Sequence, residues 1–461
     1  MSYQIVDCFR NKEIVNQRVS FDLPLDYSQP KGMKIKVVVN ITQKAEGVDL
    51  AAGTTQLLLP SSPKFIGYLQ GGPGFPCQVP TYSGMTKVLL DKGYQIIYLD
   101  QRGTGLSTPL EGTTFKDLVT QRFGNFEVQS QLDFIMNFRA DSIVEDLETV
   151  RKQLIPNDKI SLLGQSYGGF CSFTYLSKYP DSLREVLITG GVPPVGFAVD
   201  QVYQATYERT TERNIHYYSK YPQDKQKVVD ICKYLDANKV KLPNGGDLSV
   251  ERFQQLGLGF GATGGTDRIH DIVTKFAYDL QLFNHPTYQI LHTIETQSGF
   301  DTNVIYALFQ EAIYCDGNIR SNWGADRTRY TSDNVSKYTL NSEQVYFTGE
   351  MVYKSMFDEY AELRQFKELA YALHENSTWS KLYDPEVLRT ITWDKVPIVA
   401  ATYVYDQYVD FELTRKVKQN VIAIGNLKQY ITSEYFHNGL RADPDKVLGV
   451  LFSLLEGGEV D

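Results

Sequence analysis

Leu163-Gly164-Gln165-Ser166-Tyr167-Gly168-Gly169 is the stretch on which the reading of this chain turns. The run before it, Lys159-Ile160-Ser161-Leu162-Leu163, is short and rich in leucine and isoleucine. The residues after it, 169–179, have helical spacing. Gly164-x-Ser166-x-Gly168 therefore falls at a strand-to-helix turn, where a nucleophile elbow belongs. So sharp a turn strains the serine backbone, and side chains at the flanking positions would collide with the strand and helix, which is why glycine is needed there. The serine hydroxyl is held up and exposed.

Working outward, strand and helix alternate. On the N-terminal side, 141–154 carries Ile143, Val144, Leu147, Val150 and Leu154 at amphipathic helical spacing and leads directly into the serine strand. Two further buried strands lie upstream. Phe65-Ile66-Gly67-Tyr68-Leu69 ends in Gln70-Gly71-Gly72-Pro73-Gly74, and Tyr94 to Asp100 ends in Gln101-Arg102-Gly103-Thr104-Gly105-Leu106-Ser107. Gly103-x-Gly105 is not a dinucleotide fingerprint, because Thr108 stands where the third glycine must allow close helix packing. Arg102 is expected to brace this loop. Earlier still, 18–23 and 34–41 read as two antiparallel strands joined by a loop. Downstream, 183–189 is another strand. Continuous apolar strands alternating with helices predict an α/β fold with a mainly parallel sheet covered on both faces.

From about 193 to 385 the pattern changes to long helical stretches, at 201–221, 225–236, 268–283 and 351–375, rich in tyrosine and charge. This reads as a helical cap inserted into a catalytic domain made of 1–192 and 386–461. The alternation resumes with a strand at 396–403, a helix at 411–418, a strand at 427–432 and a last helix at 443–455.

A serine hydroxyl needs a base to remove its proton, and the base needs an acid to fix its tautomer and stabilise its charge. On a parallel sheet the order is serine, acid, histidine, each after a strand. Of six histidines, five lie in the cap, and His437 alone follows the last strand. Asp406 and Asp410 both follow the strand before it. Asp406 is preferred because it comes first, in a loop, whereas Asp410 looks like the N-cap of the helix at 411. The tetrahedral oxyanion needs two backbone donors, expected from the amide of Tyr167 and from Gly71 and Gly72. Metal-assisted hydrolysis lacks any ligand spacing such as H-E-x-x-H, and no cofactor or metal is expected.

Composition narrows the partners. At 461 residues, 42% hydrophobic and 22% charged, the chain is an ordinary globular protein, and its net charge of −9 argues against nonspecific nucleic-acid binding. No apolar run is long enough to span a membrane. The N-terminus lacks the basic start and apolar core of a signal peptide. Cys8, Cys77, Cys171, Cys232 and Cys315 are odd in number and scattered, which fits reduced thiols in the cytoplasm. Oligomeric state has no signature in the sequence.

Taken together and in order, Gln70-Gly71-Gly72-Pro73-Gly74, Asp100 to Ser107 and Gly164 to Gly169, ahead of a helical cap, resemble the proline iminopeptidase family of α/β-hydrolases. One departure is visible, since that glycine loop usually begins with histidine and here begins with Gln70. The resemblance implies removal of an N-terminal residue, preferably proline, from short peptides with a free N-terminus, with cap carboxylates binding the amine. Glu311, in Phe309-Gln310-Glu311-Ala312-Ile313-Tyr314, resembles a segment that carries one such carboxylate. A second carboxylate has no evident position. The alternatives carried forward are an esterase or lactonase with the same triad and a noncatalytic binding protein on this scaffold.

Overall fold

The structure, a computed structural model, describes residues 3–48, 56–60, 63–340, 343–423 and 425–457. Nine strands form one sheet: β1 (Tyr3–Asn11), β2 (Ile14–Pro24), β3 (Lys34–Lys44), β4 (Phe65–Leu69), β5 (Gln95–Asp100), β6 (Ile160–Gln165), β7 (Leu183–Thr189), β8 (Ile398–Tyr403) and β9 (Leu427–Thr432). Their spatial order is β1-β2-β3-β5-β4-β6-β7-β8-β9. The pairings among β1, β2, β3 and β5 are antiparallel, and all those from β5 to β9 are parallel. The mainly parallel sheet read from the sequence is therefore present.

The apolar runs are continuous because both faces are covered. Ile97 and Leu99 of β5 join Leu162, Ile188 and Ala400 in one core, while Ile96 and Tyr98 join Leu163, Leu187 and Val399 in another. Helices Ala140–Leu154 and Tyr167–Lys178 cover the first face, and Gly84–Asp91 and Pro444–Leu455 cover the second. Successive strand residues point to opposite faces, so each strand feeds both cores.

Among the departures from the sequence expectation, two have a plain physical reason. The edge strand β1 was not foreseen, since its residues are mostly exposed or half-buried and lack an apolar alternation. The single helix expected at 351–375 is broken into Met356–Glu359, a 3-10 turn Leu363–Phe366 and Lys367–Glu375. Apolar spacing persists across the break, but Tyr360 is extended, with φ −80° and ψ 132°. Its ring lies 3.6 Å from the Arg252 guanidinium, and its hydroxyl donates to Gln255 at 2.6 Å. Tertiary contacts at one tyrosine override a weak local propensity.

Between β7 and β8, which pair side by side, the chain makes its helical excursion. The inner part, with Tyr203, Tyr207, Val304, Phe309 and Tyr353, belongs to the same core as the helix after Ser166. Farther out, Tyr217, Val228, Phe253, Ile272 and Phe347 form a cluster of their own.

The loop after β5 is scaffolding for the loop after β4. Arg102 is fully buried and donates to Asp146 through Nε and Nη2, at 2.7 and 2.6 Å, and to the carbonyls of Pro24, Leu25 and Asn137. The adjacent Gln101 side chain donates to the Gln70 carbonyl at 3.0 Å. Removing one partner of a buried, hydrogen-bonded ion pair leaves an uncompensated charge. Arg102→Met should therefore lower unfolding free energy by about 3–5 kcal/mol in chemical denaturation, and adding Asp146→Asn should recover part of the loss. A loss below about 1 kcal/mol would show that the pair is not the brace.

Candidate active site

Ser166 sits between β6 and the helix Tyr167–Lys178 with φ 55° and ψ −124°. A side-chain residue rarely holds such a backbone unless its surroundings enforce it. Here they do. A Cβ at Gly168 would lie 1.8 Å from the Leu69 carbonyl oxygen, and one at Gly169 would lie 2.2 Å from that of Gly191. The Ser166 amide donates to the Thr189 carbonyl at 3.0 Å, so the turn is tied to the end of β7 as well.

His437 and Asp406 meet after β9 and β8. The Asp406 carboxylate accepts from His437 Nδ1 at 2.7 Å through one oxygen, and from the Tyr408 and Val409 amides at 2.8 and 3.1 Å through the other. The carboxylate is thereby oriented, and an Nδ1–H bound to it leaves Nε2 as the basic nitrogen. Asp410 instead accepts the Leu413 amide at 2.9 Å and caps the helix Phe411–Asn420. The Tyr408 ring packs edge-on to the imidazole at 4.6 Å, and the His437 amide donates to the Gly261 carbonyl in the helical excursion. Burial works against a charged imidazole, but Asp406 and then Glu350 outweigh it, so the His437 pKa is raised above the usual histidine value.

Gly190 and Gly191 join these two parts. A Cβ on Gly191 would lie 2.3 Å from the Ser166 carbonyl oxygen, whereas one on Gly190 would lie 3.3 Å from both Asp406 Oδ2 and His437 Nδ1. The serine and the Asp–His pair thus flank one dipeptide at the end of β7. On the other side, a Cβ at Gly71 would come 2.9 Å from the Ser166 Cβ. Gly72 has φ +129°, a conformation suited to glycine. Tyr167 is the first residue of its helix, so its amide has no partner within that helix. The excursion closes over the glycine loop, because a Cβ at Gly74 would meet Ile305 at 2.8 Å.

Glu311 does not offer a free carboxylate. It is buried, its oxygens accept the Gly324 and Ala325 amides at 2.9 Å each, and His374 Nδ1 lies 3.0 Å away. It caps the helix Gly324–Arg329, which is the stabilising place for an anion at a helix N-terminus. The carboxylate nearer the histidine is Glu350, which the sequence reading missed. It is half-buried and accepts the Tyr306 hydroxyl at 2.6 Å. Burial pushes its carboxyl up to about 7, partly offset by His437 and the Tyr306 hydroxyl, while Asp406 adds to the rise. Tyr314 and Tyr408 also feel its charge, and Tyr306 stacks on Phe300 at 4.6 Å and meets Phe75 edge-on at 5.0 Å. The one available signal was a lone glutamate in the otherwise uncharged run Val345-Tyr346-Phe347-Thr348-Gly349-Glu350-Met351-Val352-Tyr353.

Residues 68–223 match the sequence profile described as the alpha/beta hydrolase fold. A proline iminopeptidase of Aeromonas sobria is 38% identical over 387 residues, which are 84% of this chain and 86% of that one. A proline iminopeptidase of Aspergillus aculeatus is 38% identical over 441 residues, 95% of this chain and 92% of that one. Among solved structures, a proline iminopeptidase of Mycobacterium smegmatis is similar with a TM-score of 0.43 and 14% identity, covering 95% of this chain and 97% of that one.

The Asp406–His437 pair can be tested without substrate. In NMR titrations, the His437 ring should change charge above the ordinary histidine value of about 6.5. Asp406→Asn should lower that midpoint by a unit or more, roughly the effect of one close opposite charge. Asp410→Asn should leave it in place, and a larger shift from Asp410→Asn than from Asp406→Asn would contradict the pairing.

Proposed function

The chain belongs to the proline iminopeptidase family of α/β-hydrolases, and from that footing we propose that it is a serine aminopeptidase. It releases an N-terminal residue, preferably proline, from short peptides through an acyl-enzyme. The observation that carries the substrate reading is Glu350, a carboxylate in a tyrosine-lined enclosure within electrostatic reach of His437. A hydrolase of simple esters has no use for an anion there, whereas an aminopeptidase must hold a cationic N-terminus beside the carbonyl it attacks.

In this reading Ser166 Oγ passes its proton to His437 Nε2 and attacks the carbonyl carbon of the first residue. Asp406 holds the ring and stabilises the imidazolium. Amides of Tyr167 and of the Gly71-Gly72 segment receive the oxyanion. His437 then protonates the leaving peptide nitrogen, and water hydrolyses the acyl-enzyme by the same route. Glu350 pairs with the substrate ammonium, and the aromatic rings around it suit a compact pyrrolidine. The excursion 193–385 serves as the cap and 1–192 with 386–461 as the catalytic body. The five free thiols fit a reducing, cytoplasmic setting. Among the described residues no helix is long and apolar enough to cross a membrane.

Prolyl arylamide should be cleaved, its N-acetyl form should not, and Ser166→Ala should reduce turnover by at least about 1,000-fold with the fold intact. Glu350→Gln should cost roughly 30- to 100-fold in kcat/KM on the free-amine substrate and much less on a neutral aryl ester. Both His437 and Glu350 must be deprotonated to act. As pH falls below about 7, where Glu350 titrates, kcat/KM should fall with the square of the proton concentration, and with its first power in Glu350→Gln. Turnover unaffected by N-acetylation would favour the esterase or lactonase alternative.

A further inference from the structure

A cavity of about 320 Å³ opens beside the glycine loop, on the sheet face covered by Gly84–Asp91 and Pro444–Leu455. Its wall includes Gln70, Tyr68, Thr81, Ser83 and Arg441, with Gln78, Val79, Thr81 and Ser83 exposed at its mouth. Three features give it a chemical character.

The first is Gln70, whose side chain is more than nine-tenths buried. Its Oε1 accepts the Tyr68 hydroxyl at 2.6 Å. That bond leaves the amide nitrogen without a hydrogen-bond partner among the described residues, in a side chain that lines the cavity. The nitrogen is not one of the buried donors but opens to the cavity, where a ligand oxygen would accept from it. The second is Arg441. Its exposed guanidinium reaches the Gln165 side chain at 3.4 Å and interacts with the Tyr68 hydroxyl, and among the described residues no carboxylate pairs with it. It is close enough to counter the effect of burial on Tyr68 and to act against protonation of His437. The third is the start of the helix Gly84–Asp91, where Ser83 makes no side-chain cap and the first turn holds no acidic residue. Its first amides favour negative charge. No carboxylate lines the cavity.

The place of the cavity is as informative as its charge. Gln70 leads into Gly71, which lies against Ser166, and Arg441 is four residues beyond His437 on the short segment that carries the base. The leaving nitrogen takes its proton from that base, so a cavity on the side of the base is placed to receive the leaving peptide. Each extended residue spans about 3.5 Å, so a chain of one or two residues past the scissile bond is short.

We propose that this cavity is the subsite for the leaving peptide and that it binds the C-terminal carboxylate of dipeptides and tripeptides through Arg441, Gln70 and the amides at the start of the helix Gly84–Asp91. The inference rests on the aminopeptidase reading and narrows it to short peptides with free C-termini. Gln70, the residue that departs from the histidine usual in the family, becomes a determinant of substrate length.

The test compares prolyl-alanine and prolyl-alanyl-alanine with their C-terminal amides, with prolyl arylamide alongside, in wild type, Arg441→Gln and Ser83→Asp. Ser83→Asp caps the helix, so loss of folding is not expected, while it sets a negative charge at the cavity mouth. Wild type should prefer the free acids by about three- to tenfold in kcat/KM, the range of a partly exposed charge pair. In both variants the ratio of acid to amide should fall to near one or below. Equal rates on acids and amides in wild type, with the arylamide cleaved, would overturn the subsite and leave the aminopeptidase reading standing. A ratio that survives in both variants, or a uniform fall on all substrates with the ratio kept, would overturn it too. Failure to cleave the arylamide would remove the aminopeptidase reading and this inference with it.

Discussion

The site depends on a steric constraint: two glycine backbones that pass other backbone at distances no Cβ allows. Gly168 runs against the Leu69 carbonyl at the end of β4, and Gly169 against the Gly191 carbonyl beyond β7. These close approaches lock the turn between its neighbouring strands and hold Ser166 in a backbone conformation it would not adopt freely. Once the turn is fixed, everything that must meet the serine does so at the ends of adjacent parallel strands. The glycine loop follows β4, the Gly190-Gly191 pair follows β7, Asp406 follows β8 and His437 follows β9. These side chains and loops inherit their positions from sheet order, which the two buried cores enforce.

That dependence explains what was legible in the sequence. Strands buried on both faces write continuous apolar runs, and the glycines are forced by sterics, so β4 to β9 and the elbow could be read locally. Asp406 and His437 could be placed because chain order after the strands constrains them. The choice between Asp406 and Asp410 also had a local basis, since a helix N-cap has its own signature. The edge strand β1 left no such trace because it contributes little to either core. The 351–375 region was misread because its apolar spacing continues through a break caused by Arg252 and Gln255, roughly a hundred residues away in the chain. No local pattern encodes a contact of that kind.

Carboxylates in the excursion were the hardest to assign, for the same reason. Glu311 and Glu350 are both enclosed, both near tyrosines, and separated in role only by what their oxygens touch. Glu311 has two backbone amides and a histidine, so it serves a helix end. Glu350 has the Tyr306 hydroxyl, the Gln310 side chain and the field of His437, and burial pushes its carboxyl up to about 7. Such a group gains from an incoming cation, because the ion pair forms in surroundings less polarisable than open water. In the proposed reading, substrate choice rests on Glu350 set against an aromatic wall, whereas the reaction type rests on the elbow.

The central claim is that a free N-terminal amine is received by Glu350 beside the Asp406–His437 pair. Calorimetric titration of the Ser166→Ala protein with prolinamide and with N-acetylprolinamide tests it most directly. The account predicts that prolinamide binds, that its affinity weakens as pH drops through about 7, where Glu350 becomes protonated, and that the acetylated form binds at least tenfold more weakly. Equal affinity for the two compounds, or binding of prolinamide unchanged by Glu350→Gln, would contradict it.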